Sequence, residues 1–477
     1  MILPLLFLFA PPPSTNDLDA ALKRFTQVLS LVESQAADPV STEQAIYQGA
    51  IPGMLRKLDP HSIFFDPQQN EQLKEMEKSE RKGFGTVVSV LPGRVIVLQA
   101  LPGTPSAKAG LTPGDEIVAI NDIALARLNF DQLVGYLSEA RQHRAMLMVR
   151  RPGNARPMQF VLDPALVDAP SVERVFLLRA GVGYIRVSGF DPQTARQLKE
   201  GIEKLGGAEL KGLVLDLRDN GGGVVQTALE MASDFVKPGQ KLLSVKGRSI
   251  EGQDVDSPKT AMPYSFPVAV LVNAKTASAA EIVSGALQDH DRAVILGEPT
   301  FGKGLVQNVF PLSSNTALAL TTAFYYTPSG RSIQKPLASG QLEVEKQKEQ
   351  FRTDSGRVVT GGGGIQPDVI VHLENPTRLR VVLDASGLMT QFATQYTQSN
   401  HVMDSFELTP AILEEFQVYA GQRNIQPPVG EWLLDRAWIQ NRLKQEIFNQ
   451  ALGVAKGDEV EAQRDPVVRA ALAKLFP

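Results

Sequence analysis

A serine, a lysine and a glutamine fall between Val272 and Gln307 at a spacing that could make and break acyl bonds. The apolar run Pro267–Val272 reads as a buried strand that leads straight into Thr276, Ala277 and Ser278. Ile282, Val283, Ala286 and Leu287 then fall on one face of a short helix. Ser278 is therefore expected at a strand-to-helix junction, where backbone N–H groups are free and the helix dipole favours negative charge. A second strand, Ala293–Leu296, precedes a Gly-rich loop that carries Lys303, with Gln307 four residues on. A serine hydroxyl is a weak nucleophile unless a neighbour removes its proton. Free lysine, with a pKa of about 10.4, is protonated at neutral pH. Burial disfavours the ammonium and can bring it to roughly 7–8, which makes a usable base. The run Phe301–Val306 contains no acidic residue, and Gln307 could hold the amine without adding charge.

A phosphate-binding loop competes for the same residues. G-E-P-T-F-G-K-G over residues 297–304 satisfies most of the G-x-x-x-x-G-K-[ST] pattern. It fails where Gly304 replaces the metal-binding hydroxyl, and the residues that follow are strand-like where a helix is needed.

The two runs resemble those of the C-terminal processing peptidases, or tail-specific proteases. Their pattern is a small-residue S-A-S-A-S-E-I run followed by F-G-K-G-x-V-Q. This chain has T-A-S-A-A-E-I over 276–282 and F-G-K-G-L-V-Q over 301–307. The resemblance implies a serine endopeptidase with Ser278 as nucleophile, Lys303 as base and Gln307 as orienting amide, and with no cofactor or metal. Thr276 and Ala280 stand where the family has serines, neither of them the nucleophile. A turn R-D-N-G-G-G-V over 218–224 follows the buried run Gly212–Leu217 and resembles the family's D-L-R-x-N-x-G-G turn. By that likeness, one oxyanion donor falls to Gly222 or Gly223, with Gly222 taken here, and the second to the N–H of Ala279.

The elements around these residues divide the chain. At 477 residues it exceeds one ordinary core. Apolar content of 43% and charged content of 21% describe a soluble globular protein, and a net charge of −4 gives no reason to expect nucleic acid. Cysteine is absent, which excludes disulfides, thiolate metal sites and a lipoprotein-type anchor. Residues 1–13 form an apolar leader, too short for the ~20 residues of a membrane span and without a basic start. They point to export, to the periplasm or another extracytoplasmic location, membrane-associated forms included.

Residues 14–82 read as helical. Leu18, Leu22, Phe25, Leu29 and Val32 make one stripe, and Thr42–Leu58 repeats the habit up to Pro60. The run L-D-P-H-S over 58–62 has a counterpart in the family. No second histidine lies at metal-site spacing from His61, so a structural or capping role is expected. In the family such helices often build a dimer, which implies a homo-oligomer.

Residues 83–163 look like a PDZ domain of the bacterial protease type. Gly83, Phe84 and Gly85 offer N–H groups that could capture a terminal carboxylate, and the strand beside them could accept an extended peptide. Residues 164–374 alternate strand and helix as a peptidase core. Within them 337–364 is a polar, Gly-rich surface insertion and 364–371 the last core strand. Residues 375–477 are helical and charged, with lid, dimer contact and core cover all open as roles. The expected architecture is thus α+β and multidomain: N-terminal helices, a PDZ domain before an α/β, crotonase/ClpP-like serine protease core, and a C-terminal helical extension. Protein C-termini are the implied substrates, with an adaptor protein as a further partner. Two rivals remain: a catalytically silent PDZ-bearing scaffold that binds C-termini, and a hydrolase of small acyl substrates that would leave the PDZ-like module unexplained.

Overall fold

The computed structural model describes residues 15–76, 80–248, 250–336 and 350–476. The leader 1–13 and residues 337–349 of the expected insertion lie outside them. The chain gathers into two compact units, residues 1–78, 187–200 and 215–370 in one, and 79–186, 201–214 and 371–477 in the other. No helix of the described residues is long and apolar enough to cross a membrane.

The first unit is built on a parallel pair. Val268–Val272 is wholly buried and pairs in parallel with Ala293–Gly297, Val268 opposite Ala293 and Val272 opposite Gly297. Parallel neighbours need a crossover. Here it is the helix Ala279–Asp289, every residue of which is buried. Its polar side chains are all matched: Ser284 donates to Ala280 O, Gln288 to Asp368, and Asp289 accepts from the buried Arg331 at 2.7 Å. Leu215 and Asp216, which end the buried strand Gly212–Asp216, belong to this unit too.

A second sheet in this unit carries the end of the glycine loop. Leu305–Pro311 pairs antiparallel with Ala317–Tyr326. That strand also takes Ile63–Phe65 along one stretch and Lys241–Gly247 along another. The L-D-P-H-S run therefore feeds a strand of the core sheet and does not merely end a helix.

Three expectations need adjusting. Residues 43–50 are wound as a π-helix, with the Ile51 N–H bonded to Ile46 O, before α-helical geometry returns over Ile51–Leu55. The last core strand shrinks to Val369–Ile370, because Gly364 sits at φ +77° and Pro367 has no N–H to offer a ladder. The second half of the insertion is ordered: Gln350–Arg352 pairs with Val358–Thr360, and Arg357 is held by Asp291 and Asp368 at 2.6 and 2.5 Å.

The second unit contains a sheet in the order Thr86–Leu91, Arg94–Ala100, Glu116–Ile120, Ala145–Arg150, Met158–Leu162. The helix Phe130–Ala140 starts at a capping box made by Asn129 and Gln132. Val95, Val97, Leu133, Leu147 and Val149 fill the core. Glu80–Gly83 and Ala165–Asp168 pair with each other at the module's entry and exit. Helices from Arg378 to Leu475 enclose a separate core around Leu383, Phe392, Phe416, Ile439 and Leu443. These helices cover strands of the same unit. Arg174, on Val172–Arg179, pairs with Asp458 and Glu461 at 3.0 and 3.1 Å, and the Val454 N–H reaches Gln99.

Candidate active site

Ser278 stands where the buried strand Val268–Val272 turns into the helix, with φ +56° and ψ −118°. That conformation is sparsely populated for a residue with a side chain and persists only where the surroundings fix it. Four contacts do so. The Ser278 N–H donates to Glu281 Oε2 at 2.9 Å, and Ser278 O accepts from Tyr325 Oη at 3.1 Å and from the helix N–H groups of Glu281 and Ile282.

Glu281 is itself buried and organises the glycine loop. It accepts from the N–H groups of Gly302 and Lys303 at 2.8 and 2.9 Å and from the Thr300 hydroxyl. Burial pushes its carboxyl above the usual range, and the bonds from Thr300, Lys303, Gly302 and Ser278 oppose that rise. Tyr325, also buried, donates to Lys303 O at 2.8 Å.

The half-buried Lys303 amine donates to Gln307 Oε1 at 2.7 Å, and Gln307 Nε2 donates to His61 O at 2.7 Å. Burial holds the Lys303 ammonium below its ordinary range, while Asp59 and Glu281 pull the other way. The run Phe301–Val306 carries no acid, as read; Asp59 and Glu281 come from other segments, and desolvation outweighs them. His61 stands below the usual imidazole range through burial and the nearby Lys303 charge, against a smaller opposing pull from Asp59.

The turn after Gly212–Asp216 presses on the serine. A Cβ on Gly222, at φ +100°, would lie 2.8 Å from Ser278 Cβ and 3.1 Å from Ala279 N, so only glycine fits. The Gly222 N–H donates to the buried Asn220 Oδ1 at 2.8 Å. The N–H groups of Gly223 and Ala279 have no acceptor among the described residues. Ala279 thus opens the helix, with Gly223 unengaged among the described residues and Gly222 engaged in this conformation.

Gly83, Phe84 and Gly85 lie in the other unit. Phe84 O accepts from Ser106 N–H, and Gly85 O from Leu101 N–H and the Ser106 hydroxyl. They border a cavity of about 510 Å³ lined by Val88, Val90, Val134 and Leu137, with Lys82 and Arg141 on it. The adjoining strand Thr86–Leu91 is the edge of its sheet, the position at which a peptide can be added as a further strand.

Sequence reasoning missed Glu281, Tyr325, Asp59 and the His61 carbonyl. Glu281 had a signal, since an acid three residues after a serine has capping-box spacing. Asp59 and His61 lay in the L-D-P-H-S run, which gave no sign of the partners they meet, and Tyr325 is brought in by a distant strand.

Comparison with known proteins gives a match to peptidase family S41 over residues 181–344 and to the PDZ domain over 96–151. The chain is similar to a carboxy-terminal-processing protease of Bartonella bacilliformis, at 35% identity over 332 residues, 68% of this chain and 75% of that protein. It is also similar to the carboxy-terminal processing protease CtpB of Bacillus subtilis, at 30% identity over 348 residues, 72% and 71% of the two chains. A solved photosystem II D1 C-terminal processing protease aligns at 27% identity over 75% of this chain and 90% of that one, with a TM-score of 0.39.

Proposed function

Because this chain belongs to the C-terminal processing proteases of peptidase family S41, and is a serine-type peptidase with a PDZ domain, we propose that it selects unfolded or precursor proteins by their apolar C-terminal tails and cleaves them with Ser278 and Lys303. The observation that carries this reading is that Ser278, strained at φ +56°, and the half-buried Lys303 share Glu281 Oε2 and the Tyr325 hydroxyl through their backbones, while the Lys303 amine donates to the neutral Gln307.

Neutral Lys303 takes the proton from Ser278 Oγ as the oxygen attacks the scissile carbonyl carbon. The oxyanion is received by the Ala279 N–H and the Gly222–Gly223 turn. Gly222 serves if its amide leaves Asn220; Gly223 serves as it stands. Collapse breaks the C–N bond, and the Lys303 ammonium gives its proton to the leaving amine. Water then adds to the acyl-enzyme, with its proton passing to Lys303 and back to Ser278 Oγ. The PDZ groove, apolar inside and carrying Lys82 and Arg141, suits an apolar tail ending in a carboxylate.

We also read the protein as exported, and as a homo-oligomer that can take an adaptor. Leu18, Leu22, Phe25 and Val28 lie exposed along one helix and support the association. The test of tail selection is kcat/KM for an unfolded substrate ending in apolar residues against the same substrate ending in aspartates, with wild type and Leu137→Asp. Preference for the apolar tail, abolished by the variant, is expected. Equal rates for both tails contradict it. Tail binding without any cleavage returns the silent scaffold.

A further inference from the structure

The Gln307 carboxamide is used at both ends. Its oxygen accepts from Lys303 Nζ at 2.7 Å and its nitrogen donates to His61 O at 2.7 Å. Turning the amide over would set a donor against the ammonium and an acceptor against a carbonyl. The His61 carbonyl therefore decides which way Gln307 faces.

That carbonyl sits in an unusually well-tied turn. One oxygen of Asp59 accepts from the His61 and Ser62 N–H groups at 2.7 and 2.8 Å, and the other from the Ser62 hydroxyl at 2.7 Å. Asp59 and Ser62 are buried, and Ser62 Oγ also accepts from the Thr321 N–H at 3.2 Å. Thr321 is the cross-strand partner of Gln307. The turn and the amide thus hang from one strand, although 246 residues separate His61 from Gln307.

We propose that the turn Asp59–Ser62 is a positioning element for the base: through the His61 carbonyl it orients Gln307, and through Gln307 it aims the Lys303 amine. The inference rests on Lys303 being the base. Asp59 acts in a second way, because its charge favours the ammonium. The titratable groups around Lys303 are Asp59 and His61 of the turn, Glu281 of the Ser278 helix and Tyr325 of the neighbouring strand. Of these, Asp59 is the largest charge opposing desolvation of the lysine.

The experiment is the pH dependence of kcat/KM and kcat for wild type, Asp59→Asn, Gln307→Glu and Lys303→Ala, with thermal melts to check folding. Activity requires neutral Lys303 and so rises with pH. Removing the Asp59 charge favours the neutral amine, so the rising limb moves to lower pH in Asp59→Asn. Gln307→Glu adds a charge and cannot donate to His61 O, so its limb moves to higher pH and its kcat falls at least ~10-fold. A turn with a merely structural role lowers activity at every pH and leaves the limb in place, which overturns the proposal. Should Asp59→Asn not fold, Ser62→Ala carries the test: kcat falling several-fold at unchanged KM supports the proposal, and unchanged kcat overturns it. Turnover by Lys303→Ala refutes the base itself. An inactive Lys303→Ala beside an unmoved Asp59→Asn limb refutes only the positioning.

Discussion

Ser278 and Lys303 are joined twice through the backbone. Their N–H groups share Glu281 Oε2, at 2.9 Å each, and their carbonyls share the Tyr325 hydroxyl, at 3.1 and 2.8 Å. One buried acid and one buried phenol thus fix the strand-to-helix junction against the glycine loop. Reacting groups a fraction of an ångström out of place lose much of the benefit of proximity.

Tyr325→Phe removes one of the two links and little volume. The expected result is a loss of about 1–2 kcal/mol in stability by denaturant melts, for carbonyls left short of a donor. We further expect kcat to fall roughly 10-fold or more with KM unchanged, because the phenol touches no substrate. An unchanged kcat means that Glu281 alone sets the geometry.

Gly222→Ala places a methyl 2.8 Å from Ser278 Cβ in a left-handed conformation. Ser278 is held by four contacts and cannot give way, so the turn must. A loss of ~10²-fold or more in kcat is expected, comparable to removing an oxyanion donor, with Asn220 and the rest of the core still folded by circular dichroism. Near-normal turnover argues against any role for this turn in oxyanion binding.

Much of this site can be read from the residues alone. Ser278, Lys303 and Gln307 are carried by two short runs, and the buried strand and helix expected around Ser278 are those observed. The donors and acceptors that hold them are less legible. Glu281 lies inside the recognised run, yet its role depends on the loop 300–303 folding back onto the helix start. Asp59, His61 and Tyr325 act through partners far away in sequence, on strands whose register no local pattern fixes. The ordering of 350–360 was hidden for a similar reason: Arg357 finds Asp291 and Asp368 only after the sheet has formed.

Lys303→Arg keeps the positive charge and loses the base, since guanidinium does not give up its proton at any working pH. Turnover is expected to be nearly absent at every pH from 6 to 10, measured by discontinuous product analysis with the melting temperature as control. A pH-dependent residual rate means that another group removes the serine proton.

Asp234 offers a test of the fold's electrostatics away from the site. Burial raises its carboxyl from 3.8 to about 6, against a pull from Lys199. The folded state therefore binds a proton that the unfolded state has lost between those two values, and stability falls as pH rises through that window. The shift amounts to on the order of 2–3 kcal/mol. Asp234→Asn should flatten this part of the stability–pH curve, read from urea melts at pH 4, 5, 6 and 7. An unchanged slope places the raised group elsewhere.

The central claim is that Ser278 and Lys303 together cut the chain. Its most direct test is mass spectrometry of an unfolded protein with an apolar C-terminus, incubated with wild type, Ser278→Ala or Lys303→Ala. Fragments from the wild type alone are predicted. The same fragments from either variant, at a rate near that of the wild type, contradict the account.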